Sequence, residues 1–147
     1  MTHARKQIRD ALVTRVTGLA TTGARVYAHR YHEFNDDELP GLRVYAESEE
    51  KLGEHLGGRQ QRRIVFVIEA CAKVLTTLED TLDQIALEVE VAIGAEQTLG
   101  GLCRGGVRFD GMGDFSAQHE GEKPVGVWPL RFTADYDTDA DTPQTIR

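Results

Sequence analysis

The run from Arg62 to Ala72 constrains this chain more than any other segment, because it alternates apolar side chains onto both of its faces. Ile64, Phe66 and Ile68 fall on one side, and Val65 and Val67 on the other. A strand of that composition is covered on both faces for part of its length, so the fold is organised around a sheet with other elements packed on it.

Two amphipathic helices are predicted to supply the packing layer. After Thr2, a candidate N-cap, Ala4, Ile8, Ala11, Leu12, Val16 and Leu19 recur at three and four, with Arg5, Lys6 and Arg9 on the wet side. From about Thr77 to Ile93, Leu78, Leu82, Ile85, Val89 and Ala92 form a second stripe, while Glu79, Asp80, Asp83 and Glu90 point away. Leu87 and Val91 lie opposite that stripe and near each other, where a monomer leaves them in water. A subunit interface would cover them, although single exposed apolar residues are also common on monomers.

The remaining strands are weaker. Arg25 to Tyr31 reads as a short strand, and Leu42, Val44 and Ala46 alternate with Arg43 and Tyr45 after Pro40 and Gly41. Residues Glu47 to Gln61 contain ESEE, glycines at 53, 57 and 58 and no alternating apolar pattern, which predicts a long mobile loop. Beyond the turn-rich stretch Thr98 to Gly106, Val107–Phe115 and Val125–Tyr136 read as a hairpin across a loop through Glu120 to Pro124, with Gly111, Gly113 and Pro129 marking bulges or an edge. The last eleven residues, DTDADTPQTIR, hold one aliphatic side chain, so 137–147 is expected to be a disordered acidic tail. The expected architecture is one α+β domain over 1–136, in the order α-β-β-β-α-β-β. Two amphipathic helices pack on a mixed or largely antiparallel sheet of about five strands.

Composition agrees with a self-supporting core: 147 residues at 40% hydrophobic should remove roughly 68 to 70% of the unfolded surface from water. Cys71 and Cys103 have no CxxC or finger spacing and read as reduced thiols in a cytosolic setting. The longest apolar run is Ile64 to Ile68, and MTHARKQIRD has no hydrophobic signal region, so neither a membrane span nor a secretion signal is expected.

Net charge is −7, which argues against a general nucleic-acid binder. Its distribution says more. Residues 1–31 carry +5, 32–58 carry −6, 59–73 carry +3, and 74–98 carry −6 with no Lys or Arg at all. Such alternation suits head-to-tail contact between copies, and equally a mixed soluble surface.

Motifs for chemistry are weak. His29, His32 and Glu33 lack a further metal ligand, His3 and His55 read as solvated, and Asp114, Ser116 and His119 sit on one segment without a nucleophile elbow. Glycines 100, 101, 105 and 106 precede no Lys-Ser or Lys-Thr, and Asp110 with Asp114 is too sparse for a divalent cation. No enzyme class, cofactor or metal is expected. Arg59, Arg62 and Arg63 are the one concentrated basic patch, read first as a strand end balanced by acids and second as a phosphate contact.

The order of elements and several phrases resemble the phage tail terminator family across most of the chain. The phrases are Arg25-Val-Tyr-Ala28, Leu39-Pro-Gly-Leu-Arg-Val-Tyr45, the basic Gln61-Arg-Arg63 leading into an apolar strand, and the acidic helix near 77–93. Gly121-Glu-Lys-Pro-Val-Gly-Val127 then leads into Leu130-Arg-Phe-Thr-Ala-Asp-Tyr136. The resemblance implies a structural protein of a long-tailed phage or prophage, found in the virion at the head-tail junction and in the host cytoplasm during assembly. Its copies would form a hexameric ring on the head-proximal end of the tail tube, stop tube polymerisation and receive the head-neck completion protein. DNA would pass through the lumen without sequence-specific binding, with no membrane involved. No catalytic residues come with the family. The residues expected at the interface with the tube or a neighbouring subunit are Glu47, Glu49, Glu50, Lys51, His55, Arg59, Arg62, Arg63, Leu87 and Val91, the loop 47–61 being expected to order on docking. The competing readings are another neck or tail-completion protein of the same particle, and a small metal- or ligand-binding α+β domain using His29, His32 and Glu33.

Overall fold

A computed structural model describes residues 2–120 and 123–147. The side chains at 118–120 and 123, with Gly121 and Glu122, lie outside the description, so the reading placed on the His119 side chain and the centre of the expected loop 120–124 fall there too.

Helix α1, Ala4–Val16, buries Ala4, Ile8, Leu12 and Val16, the apolar stripe of the sequence. Its cap is His3 rather than Thr2: the His3 ring Nδ1 accepts the Arg5 N–H at 3.0 Å. The helix stops at Val16, and Leu19 packs on the core from the following turn. Strand β1 is only Val26–Tyr27, parallel to the next strand. The expected strand to Tyr31 breaks because the chain turns, with His29 Nδ1 accepting the Tyr31 N–H and the His29 carbonyl accepting the His32 N–H.

Strands β2, Gly41–Glu54, and β3, Arg59–Lys73, form one long antiparallel hairpin. The expected mobile loop 47–61 is therefore strand on both sides of a short turn. His55 N–H donates to Arg59 O, and Gly57 and Gly58 supply φ of 94° and 84°, where a side chain would be strained. Helix α2, Leu78–Ala95, buries Leu78, Leu82, Ile85, Val89 and Ile93. Strands β4, Gly106–Met112, and β5, Ser116–Glu120, pair in succession along the same strand β6, Lys123–Asp139. The predicted hairpin stands, with its first arm broken between Met112 and Ser116. Gly113 N–H donates there to Pro129 O, and a Cβ on Gly113 would fall 2.4 Å from Arg131 Nη1.

The fold is α+β: a mixed six-stranded sheet in the order β1-β2-β3-β6-β4, with β5 also on β6, and two helices packed on it. Helix α1 lies over β1 and β2, α2 over β3, β4 and β6, and the helices touch each other. Their stripes meet Leu42, Val44, Ile64, Phe66, Ile68, Leu130, Phe132, Ala134 and Tyr136 in one core. On the opposite face, Phe34, with Tyr27 and Leu39, covers Cys71, Val125 and Val127.

The expected disordered tail is also folded. Strand β6 runs three residues past Tyr136, and Thr138 Oγ1 donates to Thr145 O at 2.6 Å. The Pro143 carbonyl accepts the Ala4 N–H, and Arg147 pairs with Asp139 at 2.8 Å. Low hydrophobicity concealed this segment because backbone and polar bonds hold it.

Candidate functional site

The hairpin carries eight of the ten residues expected at an interface, and they are not equivalent. Glu49 faces the helix layer, where its carboxylate accepts from Arg5 Nη1 at 2.6 Å and from the Tyr136 hydroxyl at 2.5 Å, with Arg62 at 3.8 Å. Burial and this carboxylate push the Tyr136 hydroxyl well above its ordinary pKa. Glu49 thus ties α1 and β6 to the hairpin and is structural rather than free for a partner. Arg62 is shared between Glu49 and Gln60.

Arg63 lies on the opposite face, forked onto Asp135 at 2.7 and 3.0 Å, with Arg108 at 3.1 Å from the same carboxylate. The Asp135 hydrogen bonds hold the Arg63 guanidinium more firmly protonated than usual. Arg59 pairs with Asp137 at 2.6 Å and Glu47 with Arg131 at 3.1 Å. The sequence reading of the basic patch as a strand end balanced by acids matches this arrangement. Glu50, Lys51 and His55 are exposed, and Lys51 pairs with Glu54.

Leu87 and Val91 are 55% and 63% exposed on the outer face of α2, among Asp80, Asp83 and Glu90. Helical spacing predicted that exposure. The structure does not bring them into one patch with the hairpin: they lie on the side of α2 turned away from the stripe that packs on the sheet. Three bonds fix how α2 is rotated: Thr21 donates to Glu88 through both N–H and hydroxyl, and Arg15 Nε donates to Ala92 O at 2.6 Å. The flank bearing Glu88 and Ala92 therefore faces α1, and at 3.6 residues per turn Glu79, Asp83, Ala86 and Glu90 lie on the other flank, toward β4.

The residues weighed for metal chemistry are engaged separately. His32 stacks on Tyr27 with ring centroids 3.8 Å apart, and its Nε2 lies 3.3 Å from Glu38, while His29 bonds its own turn. Among the described residues no three His, Cys, Asp or Glu side chains converge to hold a metal ion. Both cysteines are buried thiols, and burial pushes Cys103 up to about 12. Among the described residues no helix is long and apolar enough to cross a membrane.

Sequence reasoning missed a row of half-exposed apolar residues along the β4–β5 edge: Phe109 at 48%, Met112 at 48% and Phe115 at 46%. Phe109 stacks edge-on against Phe132, whose ring is in the helix-side core, and Met112 is opposite buried Leu130. Their spacing of three obscured a shared face, because the bulge between Phe109 and Gly111, where Gly111 has φ 138°, shifts the period of two. Leu56 is fully exposed at the hairpin turn. No protein-family model matches this chain, and no curated protein does.

Proposed function

We propose that this chain is a structural tail terminator. Its copies close into a hexameric ring on the head-proximal end of a phage tail tube, stop polymerisation, and present the other ring face to a head-neck completion protein. In this reading it acts in the virion after assembly in the host cytoplasm, and DNA crosses the lumen without sequence-specific contacts. The protein performs no catalysis and needs no cofactor.

The observation that carries the reading is the segregation of charge within one layer. Helix α1 carries Arg5, Lys6 and Arg9 off its buried stripe, Arg5 paired with Glu49 and Lys6 with Asp10, whereas α2 has no basic residue and displays Glu79, Asp80, Asp83 and Glu90 beside exposed Leu87 and Val91. A closed ring needs two unlike, complementary flanks on each subunit. The phrases that carry the family resemblance lie mostly on framework positions: β1, the approach to β2, the start of β3, α2 and β6.

Native mass spectrometry with negative-stain imaging, across a concentration series and with purified tail tubes, tests the proposal. Six-membered rings in solution, or rings on tube ends alone, are the expected result. A persistent monomer that ignores tube ends would remove the proposal, and binding to the head connector instead would assign the chain to another neck protein.

A further inference from the structure

We propose that neighbouring copies join edge to edge through the sheet, β4 of one copy lying antiparallel to the Ser48–Glu50 stretch of β2 in the next. The proposal rests on the ring reading above and adds the surface by which the ring would close.

Both edges are open among the described residues. Strand β4 pairs only with β6. Strand β1 covers β2 at Leu42 and Arg43 alone, and Arg30 Nη2 occupies the Ala46 carbonyl at 2.8 Å, so the outer edge of β2 is unpaired from Ser48 onward. Exposed edges of this kind are templates for another strand. Strand direction is also compatible. Because β2, β3, β6 and β4 are successively antiparallel, setting β4 of one copy beside β2 of the next continues the alternation without reversing either copy.

The heights match too. Through the registers, Ser48 is level with Val65, Thr133 and Arg108, and Glu50 is level with Arg63, Asp135 and Gly106. The bulges at Ala46/Ser48 and Phe109/Gly111 fall close to the same level, so the two edges bend in step rather than out of it. Arg108 of one copy would meet Glu50 of the next as a diagonal cross-strand pair. Glu47 and Asp110 come near each other at the bulges, and Arg131 already offsets Glu47.

Above the sheet the helix layer is complementary as well. The flank of α2 next to β4 presents Glu79, Asp83 and Glu90 over the Phe109, Met112 and Phe115 row. The flank of α1 over β2 carries Arg5, already held by Glu49, and Arg9, which among the described residues has no carboxylate partner. A second copy supplies both a basic flank for the acids and cover for the apolar row, and a guanidinium such as Arg9 packs well on an aromatic ring.

The test mixes two single-cysteine variants, S48C and R108C, under mild oxidation. Directly opposed cross-strand positions bring Cβ atoms within about 4.5–5.5 Å, near disulfide reach, and the native cysteines are buried. The expected result is a covalent dimer in the mixture, none with either variant alone, and a ladder ending at six chains for the double variant. Rings of six without the cross-link would overturn this surface while leaving the terminator reading standing. A ladder that never closes would support the edge contact and sink the ring. A monomer with no cross-link under any condition would overturn both. As a second measurement M112K, a change at a half-exposed side chain, should raise the concentration for assembly by about tenfold or more with an unchanged melting temperature. Unchanged assembly by M112K would count against the apolar row as part of the contact.

Discussion

The two faces of the sheet are held by different physics. On the helix face, Phe66, Ile68, Leu130 and Phe132 are sealed under α1 and α2. On the other face the Phe34 cluster covers one end, and the rest is an array of cross-strand ion pairs: Arg43–Glu69, Arg131–Glu47, Arg63 and Arg108 on Asp135, and Arg59–Asp137. Burial is non-directional and scales with area, so the first face tolerates rearrangement but not loss of volume. The second depends on the position of individual atoms and weakens with exposure and salt.

Substitutions should separate the two faces by size of effect. Phe66→Ala should cost about 3–5 kcal/mol in urea unfolding, since it opens a cavity between both helices and the central strands; a cost comparable to a surface change would mean the core relaxes around the gap. Asp135→Asn should cost about 2 kcal/mol, because three charge-assisted bonds from Arg63 and Arg108 converge on a buried carboxylate. Tyr136→Phe should lose about 1 kcal/mol, one hydrogen bond to Glu49. Glu47→Gln should lie within about 0.2–1 kcal/mol and shrink further in high salt, both partners being partly exposed.

A titration sharpens the contrast from the helix side. Burial raises the pKa of Glu88, but the Thr21 and Gln84 donors outweigh it and hold the carboxyl below the ordinary 4.5. A depressed carboxylate contributes stability that is fully present above its unfolded pKa and is lost as pH falls through the folded one. Urea midpoints should therefore drop more steeply below pH 4.5 in the parent than in Glu88→Gln; parallel curves would show that the Thr21 contact contributes nothing.

Periodicity revealed the apolar face and concealed the polar one. Both helices and the centre of β3 were legible because residues such as Ile8, Leu82 and Phe66 repeat with the period of their element. Residues 47–61 read as a loop because Glu49, on the inward side of β2, is satisfied by Arg5 and Tyr136, a partnership that no hydrophobic pattern encodes. The folded tail was concealed in the same way by Thr138 and Arg147. Of the candidate site, exposure of Leu87 and Val91 was legible from helical spacing. The division of the hairpin residues between two faces required the register and its bulges. Deleting Glu49 to His55 would remove strand and core anchor together; L56S, at an exposed turn, is the cleaner probe of the proposed tube capping.

The central pair of strands sets the order in which such a chain can assemble. Strands β2 and β3 meet across a short turn, and β4 and β5 are close in sequence to β6, so each half closes a small loop. The β3–β6 ladder joins Arg59 to Asp139 and Lys73 to Val125, with α2, β4 and β5 in the intervening chain. Closing so long a loop costs entropy before its contacts are gained. The two halves are expected to gather separately and the sheet to be sealed at its middle, which makes the β3–β6 seam the slow, late event in reaching the folded chain.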